Sequence, residues 1–163
     1  MSLRLAKQVG KVLKSHGVML ATAESCTGGG IAQAVTRVSG SSAWFDRGFI
    51  TYSNISKEEM LGVSPDTLED HGAVSEATVR EMAAGALQYS GAQVVLAVSG
   101  IAGPTGGTPQ KPVGTVWFAW ATNDSVRTVC RHLSGDRDAI RVKATRIALQ
   151  GVLDLMNSQT EMA

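Results

Sequence analysis

Apolar positions along the chain fall into two patterns that take turns. Between residues 2 and 15, Leu5, Val9, Val12 and Leu13 recur at helical spacing while Lys7, Lys11 and Lys14 fill the rest of the wheel. That pattern predicts an amphipathic helix, stopped by His16-Gly17. Val18 to Ala23 is a short continuous apolar run, as in a strand buried on both faces. Glu24 to Gly30 turns the chain, Ile31 to Val38 reads as a helix, and Ser39 to Ser42 ends it. Trp44 to Ser53 is rich in aromatic and β-branched residues and predicts a strand. Ser56 to Leu61 and Pro65 to Asp70 predict short helices. Ser75 to Tyr89 predicts a longer one, capped by Ser75 with Glu76 in its first turn. Ala92 to Ser99 is a second wholly apolar strand. Gly100 to Pro112 is a loop dense in glycine and proline. Val113 to Ala121 and Ser125 to Leu133 predict two strands joined by a hairpin at Thr122-Asn123-Asp124. Asp136 to Leu155 closes the chain as a long helix whose last residues fray.

The order α-β-α-β-α-β-β-β-α, with apolar strands between helices, predicts a three-layer α/β/α sandwich. Its sheet is mixed and mostly parallel, because the late hairpin demands antiparallel pairing. The 163 residues fit a single domain over 1–163, and a 44% hydrophobic content supplies its core. Trp44, Phe45, Trp117, Phe118 and Trp120 are expected in that core, or in part at the interface of a homo-oligomer.

Charge and cysteine use narrow the function. A net charge of +1 argues against nucleic-acid binding, which needs a basic surplus. No apolar run reaches the ~18 residues of a membrane span. Charges in Met1 to Lys7 come too early for a signal peptide, so a cytoplasmic location is expected. Cys26 and Cys130 have no metal-ligand spacing. Neither a metal nor a disulfide is expected, and Cys130 reads as core.

Four segments carry candidate chemistry. In Glu24-Ser25-Cys26-Thr27-Gly28-Gly29, a buried strand delivers a hydroxyl to the mouth of a sheet, where α/β proteins bind ligands. Amides near Cys26, Thr27 and Gly28 suit an oxyanion or a phosphate. Ser25 or Thr27 serves equally as a plain helix cap. In Tyr52-Ser53-Asn54-Ile55-Ser56-Lys57, Tyr52 and Lys57 straddle a strand-to-helix junction and can face one pocket. No histidine stands in a motif beside Ser25, so a buried Lys57 with a lowered pKa is the candidate base; the alternative is a solvated lysine. The loop Ser99 to Thr108, with Gly103, Thr105, Gly106 and Gly107, lets main chain approach an anion, or is simply flexible. It has neither the order of a Walker loop nor that of a dinucleotide fingerprint. In Gly135 to Arg141, Asp136 suits a helix cap. Arg137 and Arg141 lie one turn apart and suit phosphate, or pair with neighbouring acids.

These segments, with His71-Gly72-Ala73-Val74-Ser75 and Lys111-Pro112-Val113-Gly114-Thr115, resemble the CinA C-terminal domain family across nearly the whole chain. Its members include nicotinamide-nucleotide amidohydrolases. The chain departs at Gly30, where a larger residue is expected; the consequence falls on helix packing. It is expected to stand as a single domain, without the N-terminal domain that longer members carry. The resemblance implies hydrolysis of nicotinamide mononucleotide, a pyridine nucleotide, to nicotinic acid mononucleotide and ammonia, with no cofactor. Ser25 would be the nucleophile and Lys57 and Tyr52 its partners. Amides near Cys26 to Gly28 or Gly103 to Gly107 would hold the oxyanion. Phosphate would sit in the glycine loop or near Arg137 and Arg141. Two other readings remain at this level: a nucleotide-binding or regulatory module without catalysis, and an adaptor for nucleic acid or protein.

Overall fold

The computed structural model describes residues 3–162, with side chains through residue 158. Its elements in chain order are α1 (Leu3–Ser15), β1 (Leu20–Glu24), α2 (Gly30–Thr36), β2 (Phe45–Ile50), α3 (Asn54–Leu61), α4 (Pro65–His71), α5 (Glu76–Gln88), β3 (Val94–Gly100), β4 (Thr115–Ala121), β5 (Val126–His132) and α6 (Arg137–Met162). A single 3-10 turn, Ser41–Ala43, precedes β2.

The strands form one sheet in the order β2-β1-β3-β4-β5. β1 pairs in parallel with β2 and β3, whereas β4 is antiparallel to both β3 and β5. Four strands therefore point one way and only β4 opposes them, as the hairpin requires.

The two faces of the sheet differ in side-chain size, and that sorts the helices. Leu20, Leu96, Val98, Val116, Phe118 and Trp120 build one core, covered by α1, α2 and α6. Ala21, Ala23, Ala97, Ala119 and Ala121 face the other way, and their small size brings α5 close to the strands. Burying side chains such as Leu20 or Leu96 contributes roughly 1.5–3 kcal/mol each. Trp44, Phe118 and Trp120 are buried as expected, while Phe45 and Trp117 are only partly so. The Trp120 indole N–H donates to the Ala148 carbonyl of α6 at 2.8 Å.

Several boundaries differ from the sequence expectation for local reasons. Strand β2 ends at Ile50, because Lys57 claims the Thr51 carbonyl. Helix α3 begins at Asn54 rather than Ser56, because the Ser53 hydroxyl accepts from the Ser56 N–H and caps it. Helix α6 runs past Leu155 to Met162. Ser75 and Asp136 do cap, accepting from Thr78 N–H and Ala139 N–H. Cys130 is not in the core: it is half-buried on the edge strand β5.

The connection from β1 to β2 runs over one face, and that from β2 to β3 over the other. The crevice this creates opens at the carboxyl ends of β1 and β3, the position that binds ligands in open α/β sheets.

Candidate active site

Ser25 is the residue at which β1 stops being a strand. Its N–H still donates to the Val98 carbonyl of β3 at 3.0 Å, while Gly28 N–H turns back onto the Ser25 carbonyl at 3.0 Å. Such a tight return requires left-handed backbone at Gly28 and Gly29, with φ of 58° and 97°. The turn is held from inside by Glu24. This carboxylate is fully buried and accepts from the Thr27 hydroxyl and from the N–H groups of Ile31 (2.9 Å) and Ala32 (3.0 Å). Neither Ser25 nor Thr27 caps α2: its N-cap is Gly29, without a side-chain cap, and Glu24 supplies the carboxylate.

Lys57 stands in the first turn of α3 and is 1% exposed. Its Nζ donates to Ser25 Oγ at 3.0 Å and to the carbonyls of Thr51 (2.8 Å) and Tyr52 (3.3 Å). No carboxylate accompanies it, so desolvation lowers its pKa from 10.5 to about 8, slightly opposed by the nearby Cys26. A neutral amine has two protons and one lone pair. The two carbonyls account for both protons, which leaves the lone pair for the Ser25 hydroxyl.

The cleft around this pair measures about 320 Å³. Ser25, Cys26 and Lys57 line it with Tyr52, Asn54 and Arg137, the linker residues Ala73 and Val74, and the main chain from Ser99 to Gly103 with Thr105 and Gly106. No Asp, Glu or His lines it. With the Arg137 guanidinium at its wall and no carboxylate among its lining residues, the cavity favours an anionic ligand. Among the described residues no three His, Cys, Asp or Glu side chains converge on a point that suits a metal ion. The Cys26 thiol is pushed up to about 11, chiefly by burial. It stays protonated at neutral pH, and the Lys57 amine bonds the Ser25 hydroxyl.

The structure separates the sequence candidates. Ser25, Lys57, Cys26, Gly103, Thr105, Gly106 and Arg137 meet in the cleft. Tyr52 also lines it, but only its carbonyl meets the lysine; its hydroxyl accepts from Arg137 Nη2 at 3.0 Å. Arg137 also donates to the Gly103 carbonyl at 2.8 Å, tying the glycine loop to α6. Thr27, Gly28, Gly29, Gly107 and Arg141 lie outside the cleft wall. Gly28 and Gly29 shape the turn instead, and Gly107 packs against Val113. Gly30 has room for a side chain: a Cβ there meets Thr145 Oγ1 at an ordinary 3.5 Å.

Asn54, Ala73, Val74 and Ser99 were not singled out as site residues by sequence. The His71-to-Ser75 motif was the available signal for the linker pair. It is positioned by Lys111, whose Nζ donates to the His71 carbonyl at 2.7 Å.

Comparison with known proteins identifies the family and the fold. Residues 2–156 match the CinA C-terminal domain model. The chain is 56% identical over 150 residues to the nicotinamide-nucleotide amidohydrolase PncC of Enterobacter agglomerans, covering 91% of this chain and 92% of that one. It is 50% identical over 151 residues to the PncC of Pseudomonas putida, covering 93% and 94%. Among solved structures, the competence/damage inducible protein CihA from Agrobacterium tumefaciens superposes with a TM-score of 0.91 at 45% identity, over 95% of this chain and 94% of that one. A CinA superfamily protein from Klebsiella pneumoniae gives 0.93 at 39% identity, over 96% and 98%.

Proposed function

Because the chain belongs to the CinA C-terminal domain family, we propose that it hydrolyses the carboxamide of nicotinamide mononucleotide, with Ser25 as nucleophile and Lys57 as general base. The names of its close relatives support the substrate class. The observation that carries the chemistry is the 3.0 Å contact between a buried, readily neutralised amine and a hydroxyl on the floor of an anion-favouring cleft.

Ser25 Oγ attacks the carboxamide carbon as its proton passes to Lys57. The pyridinium ring withdraws electrons and makes this carbon more electrophilic than in most amides. The oxyanion takes the N–H of Cys26, the residue after the nucleophile, and the amides of Gly103, Thr105 or Gly106, which among the described residues donate to no other group. On collapse the C–N bond breaks, and the Lys57 proton leaves with the amine as ammonia. Water, deprotonated by the same lysine, then attacks the ester, frees Ser25 and yields nicotinic acid mononucleotide. The nucleotide phosphate lies towards Arg137.

Ammonia release from purified protein and nicotinamide mononucleotide tests this reading. The wild type turns over, and Ser25→Ala falls to background while keeping its fold and nucleotide affinity. Wild-type release by Ser25→Ala would remove the nucleophile. Tight nucleotide binding by an inert wild type would leave a binding module instead.

A further inference from the structure

Arg141 does not serve the cleft. Its guanidinium lies on the other side of the nucleophile turn, in a groove of about 260 Å³ between α2 and α6. There Nε donates to the Cys26 carbonyl at 3.1 Å and Nη2 to the Thr27 carbonyl at 3.2 Å. Gly28 makes this approach possible, since a Cβ at that position would sit 3.0 Å from Nη2.

The carbonyl and N–H of a trans peptide point in opposite directions. The Thr27–Gly28 peptide therefore has Arg141 at its oxygen, while its N–H reaches the Ser25 carbonyl at 3.0 Å. The Ser25–Cys26 peptide accepts that bond at its oxygen. At its other end is the Cys26 N–H, which touches its own thiol but among the described residues donates to no other residue, and which belongs to a residue lining the cleft. Every bond in this chain donates in the same direction, from the guanidinium to the amide beside the nucleophile. A charge at the head of such a chain orients each peptide plane and polarises the last N–H.

We propose that Arg141 is a positioning residue that acts through two peptide groups to aim and strengthen the Cys26 N–H as oxyanion donor. This rests on the acyl-transfer reading of Ser25, though not on the identity of the amide. Arg141 touches no substrate in this scheme.

The test uses two readouts on the intact protein: steady-state ammonia release from nicotinamide mononucleotide, and the rate at which a fluorophosphonate probe labels Ser25, followed by mass spectrometry. Weakening an oxyanion donor predicts that Arg141→Ala loses about 10- to 100-fold in kcat and in labelling rate, with KM nearly unchanged. Added guanidinium ion, entering the groove vacated by the side chain, restores part of both rates. Arg141→Lys, which keeps the charge but reaches one carbonyl at a time, covers the case in which the alanine variant does not fold; its labelling rate falls between the two. Wild-type labelling in either folded variant overturns the proposal. So does a raised KM with unchanged kcat, which would make Arg141 a phosphate ligand, or failure of wild-type Ser25 to label. If the wild type labels but releases no ammonia, the substrate assignment fails, and the labelling comparison still decides the role of Arg141.

Discussion

Gly85 of α5 stands directly against the main-chain carbonyl of Leu61, the residue that ends α3, and a Cβ at position 85 would overlap that oxygen. Lys57 sits on α3 one turn before Leu61, so the absence of one methyl group fixes how closely α5 presses the helix that carries Lys57 onto the sheet. Main-chain atoms cannot rotate aside as a flexible side chain can. Gly85→Ala is expected to lower stability by roughly 1–3 kcal/mol, the usual cost of overpacking, and to lower kcat as the Lys57 amine moves away from Ser25. Urea unfolding and steady-state kinetics on the same preparation check both effects. Unchanged stability with unchanged kcat would mean that this contact does not hold α3 in place.

Arg137 makes a different prediction from Arg141. It spans the cleft mouth, bonded to the Gly103 carbonyl and the Tyr52 hydroxyl. Hydrogen bonds to a charged group contribute about 1.5–3 kcal/mol, so Arg137→Ala should raise KM for the mononucleotide by roughly 10- to 100-fold. The riboside, which lacks the phosphate, should feel the substitution far less. Equal losses on both substrates would place the phosphate elsewhere.

Burial of Lys57 also leaves a signature in stability. Its folded pKa of about 8 lies below its ordinary 10.5. Between those values the unfolded chain binds more protons than the folded one, so this group makes stability rise with pH. The burial penalty is fully present below about pH 8 and has been relieved by pH 10.5. It amounts to on the order of 3 kcal/mol. Lys57→Met lacks it. The stability of the wild type relative to Lys57→Met should therefore climb from pH 7 to pH 10.5, as read by urea unfolding at each pH. Parallel curves would show that the amine is solvated.

Much of this arrangement was legible from residue patterns, and the reasons are local. Continuous apolar runs marked β1 and β3 because both faces of each are covered. The Ser25 and Lys57 segments stood out because a hydroxyl and a lysine each follow a strand. What sequence missed depends on three-dimensional return of the chain. Glu24 reads as a charge ending an apolar run; only the Gly28-Gly29 turn reveals that it accepts from amides seven and eight residues later. Arg137 and Arg141 share a helical face by spacing. They nevertheless serve different cavities, because the start of α6 wedges between the cleft and the α2 groove. The Tyr52 hydroxyl pointed to Lys57 by proximity in sequence, yet the capped start of α3 turns the lysine onto the tyrosine's main chain instead.

The pH dependence of kcat/KM for ammonia release measures the protonation state of the base in the free enzyme. If the neutral Lys57 amine activates Ser25, the rate rises tenfold per pH unit at low pH and levels off above about 8. In Lys57→Ala the residual activity loses that limb. A wild-type profile already flat at pH 6, or a limb that survives in Lys57→Ala, would contradict the account.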